Sequence, residues 1–203
     1  MASKVEIVNK ALSYLGANPI TNITDNTTEA KIANRVYSTS LKTTLTDCNW
    51  HFALKREDLN QSTTEMDWYR DDMQYVFVLP SDVLKITDVS NRKAIWKIIG
   101  DFLVCNSSTI GIEYIYDITD TSKFTPTFID TFADRLAADM AFFITNDTKL
   151  AQALLEKYTS VSLSKAMAIN SQESGTPQAI DDSYWVDSKY GYISGTQRGG
   201  SRA

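Results

Sequence analysis

Apolar positions along this chain recur first at the period of a helix, then of a strand, then of a helix again. Val5, Val8, Leu12 and Leu15 fall at i, i+3, i+7 and i+10, one stripe of a 3.6-residue repeat that starts near Ser3. Gly16 comes next as a stop, and Asn18-Pro19 closes the option of continuing. A second helix is expected to open at Asn26, whose side chain can cap while Glu29 reaches back from capping-box distance. Its inward stripe runs Ala30, Ala33, Val36/Tyr37, Leu41 and Leu45, so the two helices form a hairpin.

Between residues 50 and 118 the period becomes two. Trp50, Phe52 and Leu54 alternate with Ala53 and Lys55, and Tyr75, Phe77 and Leu79 alternate with Val76 and Val78. Ile110, Ile112, Tyr114 and Tyr116 line one face against Gly111, Glu113 and Ile115. Alternation with β-branched and aromatic enrichment predicts strands, five or six of them in antiparallel order. Ile95–Ile99 and Phe102–Cys105 flank Gly100-Asp101, and glycine first in a two-residue loop is the preference of a type II′ hairpin. Apolar side chains on both faces point to a small sandwich or barrel, or to a sheet packed on the helices.

Helix returns after Phe124. Thr125 can cap, and Pro126 sits where its missing N–H is harmless. The stripe is Phe128/Ile129, Phe132, Leu136, Met140 and Phe143, with Ala133, Ala137 and Ala141 beside it for close approach. Asn146-Asp147 ends that helix and caps a last one carrying Leu150, Leu154, Tyr158 and Val161 to about Ser171. The pattern therefore predicts an α+β chain: a helical hairpin over residues 1–49, an inserted antiparallel β-rich domain over 50–123, and a second helical hairpin over 124–173. Together the hairpins make a four-helix bundle. Residues 174–203 break the pattern and hold five of the eight glycines. They also hold Ile180, Tyr184, Trp185, Val186, Tyr190, Tyr192 and Ile193. Aromatics in a glycine-rich terminus cannot build a core of their own, so an extended C-terminal arm that docks on something else is expected.

Composition narrows the function. The net charge is −5 with no dense Lys/Arg run, whereas a protein that grips nucleic acid shows a basic face. Two cysteines, Cys48 and Cys105, are too few for a disulfide framework and fit reduced, half-buried thiols in a cytosol-made protein. Met-Ala-Ser-Lys-Val-Glu contains no apolar h-region, so no secretory signal is expected, and no apolar run suits a membrane span.

Chemical motifs are missing where an enzyme would show them. His51 is the only histidine, which excludes a two-His metal site and leaves a structural role between Trp50 and Phe52. There is no phosphate-cradling glycine loop and no Gly-x-Ser-x-Gly elbow. Glu65, Asp67, Asp71 and Asp72 cluster around Trp68-Tyr69-Arg70, as paired acids in a glycosidase could, but a solvated loop is the default between two strands. Asp117 and Asp120 could hold a cation at a strand end, and a turn explains them as well. The expectation is no catalytic residue, no metal and no cofactor.

The order of segments carries a resemblance. Val5–Ile20 resembles the opening helix of the podophage tail tubular protein A family of head-to-tail adaptors, and Cys48–Arg56 is similar to its stretch after the second helix. Tyr75–Ile86 is similar to that family's first sheet segment. Ile112–Asp120 with Phe124–Asp130 after it resembles the family's return from sheet to helix. The likeness covers about residues 3–173, and none of these segments is a chemical motif. What it implies is a virion structural protein at the head–tail junction, assembled in the host cytoplasm. It implies a ring, a dodecamer, beneath the portal protein that extends the DNA channel and receives the tail nozzle protein. Genomic DNA would only pass through, without specific contact and without a membrane. The C-terminal arm, through the seven apolar residues named above, would reach the portal. A stopper or nozzle component of the tail, or a small cell-wall hydrolase using the acidic loop, are the competing expectations.

Overall fold

Ser3 opens the first helix, α1 (Lys4–Tyr14), with a complete capping box: its hydroxyl accepts from the Glu6 amide and the Glu6 carboxylate accepts from the Ser3 amide. Gly16, at φ 64°, ends the helix in a Schellman turn, in which the amides of Gly16 and Ala17 donate to the carbonyls of Ser13 and Leu12. In the connection to the second helix, the Asn9 side chain bonds both the amide and the carbonyl of Ile20. The computed structural model describes residues 2–63 and 73–173. The acidic loop residues Glu65, Asp67, Asp71 and Asp72, and the arm residues Ile180, Tyr184, Trp185, Val186, Tyr190, Tyr192 and Ile193, lie outside the described residues.

Helix α2 (Thr28–Asp47) starts one residue later than its pattern suggested. Thr27, not Asn26, is the cap, its hydroxyl accepting from the Ala30 amide at 3.3 Å. Capping-box distance from Thr27 falls on Ala30, which has no side chain to reach back, so Glu29 only contributes charge to the first turn. Helix α3 (Pro126–Thr145) is capped by Thr125 with Pro126 at its start, as expected. It is the post against which α1, α2 and α4 (Thr148–Lys157) all pack. Asn146 leaves α3 in the left-handed region at φ 53°, and the Asp147 carboxylate then caps α4 from the next position.

The inward row of α3 is Phe128, Phe132, Leu136, Met140 and then Ile144, spaced four apart. Phe143, assigned to that stripe from sequence, is instead half exposed, because a four-residue step from Met140 arrives at Ile144. The last helix is also interrupted. Between α4 and α5 (Leu163–Glu173) the chain makes a π turn over Tyr158–Ser162. Bonds of i→i+5 type take an extra residue per turn and rotate the helix beyond them. That rotation carries Val161 to the surface, against expectation, while Tyr158 and Ala166 stay buried.

Trp50 and Phe52 do not begin a strand. They belong to a 3₁₀ turn at His51–Ala53, and the strands start with β1 (Leu54–Asp58). The turn lets both rings pack on Phe128, at 4.9 and 5.0 Å between centroids, while the Trp50 indole donates to the Thr44 carbonyl. Five more strands follow among the described residues: β2 (Tyr75–Val78), β3 (Val83–Val89), β4 (Trp96–Ile99), β5 (Phe102–Cys105) and β6 (Gly111–Tyr116). They form two antiparallel three-stranded sheets, ordered β1-β6-β3 and β2-β5-β4. Gly100 has φ 57° and Asp101 does not share the positive sign, the pattern of a type II′ turn between β4 and β5.

Strand β6 shows why the alternation was readable. Ile112 and Tyr114 face the second sheet, meeting Phe77, Leu103 and Cys105, while Ile115 on the other face joins the helical core. Among the described residues helix outweighs strand, 51% against 19%, and all strand pairs are antiparallel, so the class is α+β. Met1–Asn170 form one compact unit that holds α1 to α4 and both sheets. No helix among the described residues is long and apolar enough to cross a membrane.

Candidate interaction surfaces

Strand β4 ends its sheet, with β5 on one side and no described residue paired on the other. Register places Trp96 opposite Cys105 and Ile98 opposite Leu103, both partners wholly buried on the face that meets the first sheet. Trp96 and Ile98 point the same way, yet they are 37% and 43% exposed. The inner face of the second sheet thus overhangs the first. Under the overhang lies a cleft of about 520 Å³, with Ile98 on one side and Leu84 and Ile86 of β3 on the other. Ile95, just before β4, is half exposed as well.

A second apolar surface lies at the end of α3. Phe142 and Phe143 are 47% and 50% exposed, with their rings 6.0 Å apart, and the Arg35 guanidinium sits 4.8 Å from the Phe143 ring centre. Monomeric proteins expose single apolar side chains routinely, but adjacent large ones mark contact sites.

The polar nodes are structural in form. Asp134 on α3 is buried and accepts from Lys157 Nζ at 2.7 Å and from the Ser162 hydroxyl at 2.5 Å, so it ties both ends of the π turn to α3. A cleft of about 290 Å³ opens beside it, lined by Tyr14, Asp130, Thr131 and Lys165 among others. In the first sheet the buried Tyr114 hydroxyl lies 3.2 Å from a Glu57 oxygen and 3.1 Å from an Asp82 oxygen. Burial, reinforced by these carboxylates, pushes Tyr114 up to about 12. The Lys55 ammonium, hydrogen-bonded to Asp82, holds that carboxyl below its usual range.

Residues singled out from sequence are distributed rather than gathered. His51 starts the 3₁₀ turn, its amide donating to the Asn170 side chain. Asp117 pairs with Lys42 at 2.8 Å, linking the end of β6 to α2. Asp120 caps a separate 3₁₀ turn at Thr121–Lys123, and its hydrogen bonds from Ser122 lower its carboxyl. The turn reading describes Asp120, whereas Asp117 serves an ion pair between elements. Cys48 and Cys105 are buried free thiols, each pushed up by that burial. No cluster of three or more metal-ligating side chains occurs among the described residues. Sequence reasoning missed the overhang at β4, although Trp96, Ile98 and Gly100 signalled a hairpin with an apolar face. No family model and no curated protein sequence matches this chain.

Proposed function

We propose that this protein is a structural virion subunit of a tailed bacteriophage, the head-to-tail adaptor that forms a ring beneath the portal and receives the tail nozzle. The observation that carries the reading is the pair of dissimilar apolar surfaces on one compact unit, at β4 and at the end of α3. Neighbours in a cyclic ring meet head-to-tail, so each copy needs two different faces, and partners above and below the ring need others. A channel-forming subunit also calls for no reaction chemistry, and its acidic net charge suits a wall past which DNA slides.

On this reading α1, α2, α3 and the α4–α5 rod are the four rods of a bundle, with the β segment of residues 50–123 inserted between its hairpins. The segment order resembling the tail tubular protein A family supports it. The arm of residues 174–203 supplies the portal contact through Ile180, Tyr184, Trp185, Val186, Tyr190, Tyr192 and Ile193, in keeping with its aromatic, glycine-rich composition. Native mass spectrometry of the chain with and without the portal protein tests the proposal. Rings of about twelve copies are expected only when portal is present, and no association at micromolar concentration sinks it.

A further inference from the structure

We propose that the free edge of β4 is the docking site for an extended segment of a partner protein in which acidic and apolar residues alternate. The backbone sets the first requirement. Ile99 and Phe102 close a two-residue hairpin and so exchange both ladder bonds, and alternation then turns Lys97 toward β5 as well. The Asn106 amide donating to the Ile95 carbonyl at 3.2 Å continues the same alternation. The amides and carbonyls of Trp96 and Ile98 therefore face outward, toward no described partner.

Side chains set the second. An added strand would continue the overhanging sheet, and its inward residues would come down beside Trp96 and Ile98 over the cleft bounded by Leu84 and Ile86. Those positions call for apolar or aromatic groups. Its outward residues would lie beside Lys97. Neither Lys97 nor Lys93, in the loop before β4, pairs with a carboxylate among the described residues, whereas Arg92 is taken by Asp88. Two cations with no carboxylate partner among the described residues favour an acidic neighbour. A lone lysine is also the usual guard of an edge strand, and guarding makes no distinction of partner charge. Nucleic acid would meet the lysines and Trp96 but would leave the row of backbone donors and acceptors unused, so a strand is the better fit. The inference is independent of the adaptor reading, which would set a neighbouring copy against the same β4 surface; self-association there separates the two.

Binding of labelled ten-residue peptides to the full chain, read by fluorescence anisotropy, tests it. One peptide alternates Asp/Glu with Val/Tyr, one replaces the acids by Lys, and one scrambles the acidic sequence. The acidic peptide is expected to bind best, and Lys97→Glu should weaken it by about fivefold while strengthening the basic one. Ile98→Pro removes an outward amide without touching the β5 ladder, and should abolish binding with an unchanged circular dichroism spectrum. Equal affinity for all three peptides, or an acidic-peptide affinity indifferent to Lys97→Glu, overturns the proposal. So does a single-stranded oligonucleotide that binds more tightly than the acidic peptide, or self-association of the chain that Ile98→Pro removes.

Discussion

Removing the cation from the Asp134 node should harm the fold more than removing the anion. Asp134 keeps only 9% of its side chain exposed, while Lys157 keeps 45%. In Lys157→Met the carboxylate stays on α3 with the Ser162 hydroxyl as its one remaining donor of the two. Stranding a fully buried charge costs about 3–5 kcal/mol, but the adjoining cleft lets water approach, so about 2 kcal/mol is expected. In Asp134→Leu the ammonium simply returns to solvent over the Tyr14 ring, 4.5 Å away, and Ser162 is partly exposed. The new side chain adds apolar contact near Val161 and Ile169, so the loss should stay below about 1 kcal/mol. The double variant should recover most of what Lys157→Met loses. Urea unfolding at constant m-value measures all three. A greater loss in Asp134→Leu than in Lys157→Met, or a double variant weaker than either, refutes the argument.

Other features of the fold lead to three more expected outcomes. Asp82 has its carboxyl lowered from an ordinary 3.8 chiefly by Lys55, so its contribution to stability is full above that value and fades as pH falls through the lower folded value; Lys55→Met should flatten acid unfolding below about pH 4, and unchanged curves would remove the assignment. Cys48 and Cys105 are buried with raised pKa, so a thiol reagent at pH 8 should label both only in urea, and rapid labelling of the native chain would contradict their burial. Deleting residues 175–203 should leave the melting temperature nearly unchanged while weakening attachment to portal; a drop of many degrees would mean that the arm belongs to the subunit's own core.

Local signals were legible where one cause acts. The helix start near Ser3, the Thr125 cap, the Gly16 stop, the Gly100 turn and the two faces of β6 each depend on a few adjacent residues, and each is where the spacing placed it. Misreadings arise where a distant neighbour decides. Trp50 and Phe52 alternate like a strand, but the Phe128 ring draws both into one cluster and the backbone tightens to a 3₁₀ turn. Val161 fits the stripe of an ideal helix, and only the π turn, held by Ser162 and Lys157 on Asp134, moves it out. The overhang at β4 was illegible for a related reason. Alternation tells which side chains share a face, not whether the opposing sheet extends far enough to cover them.

The aromatic cluster of Trp50, Phe52, Phe124 and Phe128 also fixes where the chain leaves the helices and where it comes back. Phe52 stands at the exit, Phe124 at the return, and their ring centres are 5.8 Å apart. The strands are held to the helices here and again where Leu84 and Ile115 enter the helical core, where Asp117 pairs with Lys42 and where Lys85 donates to the Thr46 carbonyl. Because the segment begins and ends at nearly the same point, doubling the length of one of its flexible loops costs only about 0.6 kcal/mol. The sheet of β1, β3 and β6 is thus tied in place, and room for longer or shorter loops lies on the side away from the helices.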